Sequence, residues 1–154
     1  MTKRSTRSKG RSQRQLEVVF IVDECLGREA LEVLAAQHET RLVKTEFGEG
    51  TDDPDFLPEI GRRGWLLITR DDAMRRRHAE FSAIARCKVW AFFVSAKLNG
   101  QQTASLLEAQ LEKVVRYHAR HLPPAMVRIH SGGVEHIVHK AIPSPQRRSA
   151  ARRD

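Results

Sequence analysis

The chain lacks the features that mark disulfide-rich, zinc-binding and membrane-spanning proteins. Of its 154 residues only two are cysteine, Cys25 and Cys87. Two cysteines make no disulfide framework, neither has a partner at zinc-ligand spacing, and we expect both thiols to be reduced. No apolar run approaches the roughly 18 residues that a membrane helix needs, and no apolar stretch directly follows the basic N-terminus as a signal peptide would require. We therefore expect a cytoplasmic protein without a membrane segment.

Both ends of the chain lack acids or nearly so. Residues 1–15 carry a charge of +6 and residues 140–154 carry +4, so the net charge of +8 leaves −2 for the rest. Basic segments without apolar periodicity predict disordered tails over 1–15 and 141–154, around one domain over 16–140. The tails could hold RNA, DNA or an acidic protein non-specifically, or they could simply solubilise the chain.

Short apolar runs alternate with amphipathic segments along the domain. The runs predict strands at 17–22, 41–44, 65–69, 89–94, 126–129 and 134–138. Apolar residues at helical spacing predict helices at 26–38, 54–63, 72–86 and 103–118, and Gly48 and Gly50 predict a loop over 46–51. This order predicts an α/β fold: a three-layer α/β/α sandwich with a mostly parallel sheet and a C-terminal β-hairpin.

Acidic residues stand near three of the predicted helix starts. The first strand stops at Asp23 and the third is followed by Arg70 and then Asp71, while Asp53 lies between them, before a helix. Ligands of open α/β sheets bind just outside the carboxyl ends of the strands. Carboxylates gathered there would repel one another unless a cation neutralised them. The pattern therefore points to a hard metal ion such as Mg²⁺, and so to phosphate chemistry.

Each of these acids alone also fits a helix cap. Asp53 before Pro54 is a good N-cap arrangement, and Asp71 or Asp72 could cap the following helix. Doubled acids at two of the three positions exceed what capping requires, which favours a shared site. The candidate ligands are Asp23, Asp53 and Asp71, with Glu24 and Asp72 beside them.

Basic residues flank the third acidic position. They could hold a nucleic-acid backbone beside the ion, or they could balance the nearby carboxylates on a solvated helix face. These residues are Arg70, Arg75, Arg76 and Arg77.

Two histidine pairs and two tryptophans favour ordinary structural roles. The pairs His118/His121 and His136/His139 have a spacing that can bind zinc. Neither pair has a third ligand in pattern, so we expect surface histidines. Trp65 and Trp90 lie in strand patterns, and we expect them in the core.

Three segments of the chain resemble the PIN-like nucleases, in particular the short branch that includes the toxins of toxin–antitoxin pairs. They are the first strand with its acids, the stretch from Gly50 to Glu59, and the run from Arg63 through Thr69-Arg70-Asp71, which is the most specific. The likeness covers about 18–130. It implies an α/β/α fold, an acidic pocket holding Mg²⁺ or Mn²⁺, RNA phosphodiester hydrolysis, and often a small inhibiting partner or a homodimer.

By position, the resemblance matches Asp23, Asp53 and Asp71 to the metal-binding acids of the family. Glu24 and Asp72 are adjacent candidates for a fourth or supporting position. Larger members carry a further acid on a helix after the first third of the chain. The helix with Glu29 and Glu32 offers no clear equivalent, which leaves the number of metal ions open.

The sequence thus favours a metal-dependent endoribonuclease acting as a toxin. One alternative is a receiver-type phosphoacceptor domain with Asp71 as acceptor and Ser95 as the hydroxyl after the fourth strand. Receivers, however, need a lysine after the fifth strand, and this chain has none there. Another alternative is a non-catalytic module that keeps the fold and binds nucleic acid or protein through its basic tails.

Overall fold

The computed structural model describes residues 17–48, 53–70, 78–137 and 145–148, without the side chains of 53, 54 and 78–80. Six strands form one sheet: β1 (Val19–Val22), β2 (Glu39–Leu42), β3 (Leu66–Thr69), β4 (Trp90–Phe93), β5 (Ala125–His130) and β6 (Gly133–His136). The helices are α1 (Arg28–Ala35), α2 (Val43–Phe47), α3 (Asp53–Arg63), α4 (His78–Cys87) and α5 (Gly100–Arg120). None of the helices in the described ranges combines the length and apolar character that crossing a bilayer requires.

The strands run in the order β2-β1-β3-β4-β5-β6 across the sheet. The first five are parallel, and β6 returns antiparallel to β5 through a tight turn. The predicted α/β class, the mostly parallel sheet and the C-terminal hairpin are therefore confirmed. The chain moves one way from β1 to β2 and the other way from β3 onward, so the order reverses between β1 and β3.

Two apolar layers cover the two faces of the sheet. On one face α1 and α5 bury Leu34 and Leu107 against Phe92. On the other, α3 and α4 bury Ile60 and Ile84 with their neighbours. The alternation along each strand sends Phe20 and Val22 to the first layer and Ile21 to the second, as a pleated strand covered on both faces requires.

The connections through α4 and α5 have opposite hands. Each moves one strand in the same direction, from β3 to β4 and from β4 to β5, yet α4 and α5 lie on opposite faces. Since parallel crossovers are right-handed in about 98% of cases, one of the two is of the rare left hand. The consequence is that α5 packs beside α1 and against β5 and β6.

Three predicted boundaries differ from the structure for local reasons. The second strand was expected at 41–44 and a loop at 46–51, but β2 ends at Leu42 and α2 covers Val43–Phe47. The first helix is broken at Gly27, whose φ of 98° separates a 3-10 turn at Glu24–Leu26 from α1. The last helix begins at Gly100 rather than 103, because Asn99 and Gln102 form a capping box.

Two glycines determine how α3 ends and packs. Gly64 terminates the helix, and Gly61 lies at its contact with the end of α4. Gly64 has a φ of 71°, and Trp65 N donates to the Ile60 carbonyl as in a Schellman motif. Earlier in the helix, a Cβ added at Gly61 would lie only 1.9 Å from the Cys87 carbonyl oxygen at the end of α4. The two helices can therefore approach this closely only with glycine at position 61.

We expect Gly61→Ala to destabilise the protein by about 1–3 kcal/mol, because a backbone carbonyl cannot move aside as a flexible side chain can. Gly64→Ala is the matched control. A Cβ at position 64 would meet nothing within 4 Å. The Gly64→Ala protein should therefore lose only the free energy that a non-glycine residue needs to adopt the left-handed conformation, about 1–2 kcal/mol. Urea unfolding of both variants measures the difference, and a Gly61→Ala protein as stable as the parent would contradict the packing described.

At the amino edge of the sheet, residues 145–148 of the predicted C-terminal tail pack against the end of α5. Arg147 and His121 form an isolated antiparallel β-bridge through their backbones. The Arg148 side chain donates a hydrogen bond to the His118 carbonyl at 3.3 Å. Arg148 also lies over the ring of Trp90, 5.7 Å from its centroid. Part of the predicted tail is therefore packed on the domain.

The prediction that His118 is a surface histidine is wrong. Only 4% of it is exposed, and its ring lies 4.4 Å from that of Trp90, centroid to centroid. His118 continues the buried stripe of α5 formed by Leu107, Leu111 and Val114, so its helical spacing was the signal that could have found it. Trp65 and Trp90 are buried, as predicted.

Burial, and secondarily the charge of Arg148, lower the pKa of His118 to about 4. In the unfolded chain the residue takes up a proton below about pH 6.5. Stability is therefore fully present above pH 6.5 and falls as the pH drops toward 4, by up to about 1.4 kcal/mol per pH unit. Urea unfolding between pH 4 and 7 should show this slope and a smaller one in His118→Phe; equal slopes would contradict the assignment.

Candidate functional site

Two neighbouring strands bring their carboxyl ends together at the point where the strand order reverses. β1 and β3 are parallel, and Val22 is paired with Ile68. Asp23, which follows β1, is therefore level with Thr69, the last residue of β3. A shared acidic site requires these strands to be adjacent, and they are. This edge is where ligands of doubly wound sheets bind.

Asp23 stands at the start of the 3-10 turn after β1 and is partly exposed. Its backbone is extended, with φ −82° and ψ 147°, and its side chain makes no capping hydrogen bond to the turn. Its carbonyl oxygen accepts from Leu26 N at 3.0 Å, which closes the turn. The backbone thus accounts for the turn geometry without the Asp23 carboxylate acting as a cap.

A contact that the sequence did not reveal joins the two strand ends. Cys25 in the 3-10 turn places its Sγ 3.8 Å from Oγ1 of Thr69, and Thr69 is fully buried. Thr69 belongs to the same Thr-Arg-Asp run that carries the strongest family likeness. In the sequence, a threonine at the end of a predicted strand and close to acidic residues was the signal that could have found this contact. The contact fixes the turn that carries Asp23 against the end of β3.

The path of α3 brings its first residue to the same edge. Asp53 begins α3, which ends at Arg63 and turns through Gly64 directly into β3. The helix therefore runs antiparallel to the strand that follows, from the carboxyl edge of the sheet back to the amino edge. The backbone of Asp53 therefore lies at the carboxyl edge of the sheet, where Asp23 also lies.

The remaining acidic and basic candidates lie outside the described residues. These are Asp71, Asp72, Arg75, Arg76 and Arg77. Asp71 is separated from Thr69 in the sequence by Arg70 alone. Within the described ranges, no three histidine, cysteine or acidic side chains are grouped so that they could hold a metal ion. Asp23 and Glu24 are thus the predicted ligands whose side chains can be located.

Cationic side chains accompany the acids at this edge. Lys44 Nζ lies 4.0 Å from the Glu24 carboxylate, and 59% of the Glu24 side chain is exposed. Such an exposed pair contributes little to stability, so Glu24 can exchange its partner at little cost. Arg70 reaches across the end of β4 and donates to the Ala96 carbonyl at 3.4 Å. Arg70 therefore connects the carboxyl end of β3, beside Asp23, with the loop that follows β4.

Comparison with known protein families identifies the family of this domain. A family model described as a PIN-like domain matches residues 18–96, slightly more than half of the chain. The matched span contains β1 to β4 and all the sequence-predicted site residues. No curated protein and no solved structure matches the chain.

Proposed function

The chain belongs to the PIN-like domain family, whose fold is of the nuclease type, and on that basis we propose that it is a metal-dependent endoribonuclease. The supporting observation is the parallel pairing of β1 with β3 at the reversal of strand order. That pairing sets Asp23 level with Thr69, just ahead of Asp71 in the sequence, on the edge from which α3 departs with Asp53.

The chemistry of the candidate ligands suits a hard divalent cation. Asp23, Asp53 and Asp71 would hold Mg²⁺ or Mn²⁺, since carboxylate oxygens are the ligands these ions prefer. Glu24 and Asp72 are the adjacent acids available for a further position. When bound, the ion polarises the scissile phosphate and supplies a nucleophilic water at neutral pH.

The chain's own cations would position the RNA backbone. Arg70 is held against the loop after β4 and so presents its charge beside the acidic edge. Arg75, Arg76 and Arg77 follow in the sequence and would add to this phosphate-binding surface. The domain between the tails carries a net charge of −2 by sequence, so local cations are needed to bring a polyanion to the carboxylates.

We further propose that the nuclease is the toxin of a toxin–antitoxin pair. This role implies that the chain arrests growth when expressed alone and that a small antitoxin protein silences it. The receiver-type alternative receives no support: the strand order is shared with receivers, but Ser131 and Gly132 follow β5 where a lysine is required. No feature of the described residues favours a purely non-catalytic module over a nuclease.

We expect the purified full chain to cleave single-stranded RNA with Mg²⁺ or Mn²⁺ and to stop when a chelator is added. Asp71→Asn and Asp53→Asn should each lower the rate at least about a hundredfold, since each removes a metal-binding charge. Gel analysis of a labelled RNA measures the rates.

Asp55→Asn is the matched control for Asp53→Asn, because Asp55 is an exposed acid of the same helix two residues on. It should cut at the parental rate. Circular dichroism checks that each variant is folded. A folded Asp71→Asn protein with parental activity would contradict the assignment, as would chelator-resistant cleavage.

A further inference from the structure

A groove opens on the same edge of the sheet, at the ends of the two strands that follow β3 in the sheet order. It has a volume of about 950 Å³ and lies between the first half of α5, the carboxyl ends of β4 and β5, and the β5–β6 turn. Its volume is in the range of small-molecule binding sites. The proposed hydrolysis of RNA does not by itself explain such a groove.

The groove and the candidate centre lie on the same edge of the sheet. Thr69, Phe93 and Arg128 are paired in register across β3, β4 and β5, and Asp23 is level with Thr69. Three inter-strand spacings of about 4.8 Å place the position of Arg128 about 14 Å from that of Asp23. The loop after β4 borders the groove, and it is the loop that accepts the hydrogen bond from Arg70.

The lining suits an uncharged planar group attached to a polyanion. Among the residues that the structure describes, no carboxylate lines the groove, and Arg128 and His130 are the charged or titratable residues that do. The nearby Glu135 carboxylate, outside the lining, lies 3.3 Å from His130 Nε2. Leu98, Leu106 and Ile129 supply apolar surface. Neutral hydroxyl and amide side chains add polar surface, among them Gln101, Ser105 and Ser131. A splayed-out nucleobase is recognised by hydrogen bonds to its edges and by stacking on aromatic rings or guanidinium planes. The hydroxyl and amide groups offer the first, and Arg128 offers a guanidinium plane.

The walls of the groove are fixed before any ligand binds. Gln110 is 95% buried, and its amide nitrogen donates to the Ser131 carbonyl at 3.0 Å, which ties α5 to the β5–β6 turn. At the other end, the Asn99–Gln102 capping box fixes the start of α5. A preformed groove loses less free energy to ordering when it binds.

We propose that this groove binds a nucleobase of the RNA flanking the scissile phosphate and so sets the sequence preference of cleavage. The inference rests on the proposed nuclease function. It makes Ser105 and Ala109, exposed on the α5 wall, determinants of specificity that lie outside the metal centre.

The test fills the groove without touching the candidate metal ligands. Ala109→Trp places an indole on the α5 wall, and Glu108→Trp places the same group one residue away, on an exposed residue that does not line the groove. Both are made in the full chain. Cleavage sites are mapped on a single-stranded RNA of mixed sequence, and affinity for a fluorescent RNA oligonucleotide is measured in the Asp71→Asn background, which should not cut.

Ala109→Trp should shift the distribution of cut sites and weaken RNA binding about tenfold, while Glu108→Trp should match the parent. If Ala109→Trp fails to fold, Ser105→Glu adds a carboxylate to the same wall and should weaken binding similarly. Unchanged cut sites and unchanged affinity in a folded groove variant would overturn the inference, as would a purified protein partner that binds the groove without competition from RNA. If the parent does not cleave RNA, the nuclease proposal fails, and the affinity of the two variants alone decides whether the groove holds a base.

Discussion

The parallel pairing of β1 with β3 is the constraint on which the rest of this molecule depends. It places the two acid-ended strands side by side, and a slip of one residue would turn every side chain of a strand to the opposite face. The buried side chains prevent that slip, because Phe20 and Val22 belong to one apolar layer and Ile21 to the other. The position of Asp23 beside the end of β3 is therefore fixed by the two apolar layers, which extend well beyond the site itself.

The two ends of the sheet serve different purposes. At the amino edge, close packing excludes solvent: Gly61 lets α3 meet the end of α4, and residues 145–148 lie against His118 and Trp90. At the carboxyl edge the chain is open, with an exposed Glu24 and a groove beside α5. A rigid closed end and an open end lined with charges are what a scaffold needs to hold a site on its strand termini.

Much of this could be predicted from the sequence because it is local. Apolar runs identified the strands of the buried sheet, and the Thr-Arg-Asp run identified the family. The short helix α2 was missed because Val43–Phe47 carries a polar Lys-Thr-Glu stretch between only two apolar residues. The prediction for His118 is wrong because the residue continues the buried stripe from Leu107, and its spacing from His121 carries no information about that stripe. The groove could not be predicted, since it depends on which face of the sheet α5 covers, and the connections through α4 and α5 have opposite hands.

The most direct measurement of the central claim is Mn²⁺ binding to the full chain, followed by electron paramagnetic resonance of the free ion. Asp23 is held at the shared edge by the pairing of β1 with β3, so Asp23→Asn should lose at least about tenfold in Mn²⁺ affinity, about 1.4 kcal/mol. Glu108→Gln removes an exposed acid of α5 that is not a candidate ligand and should bind as the parent does. Equal Mn²⁺ affinity in the parent and in a folded Asp23→Asn protein would contradict the account.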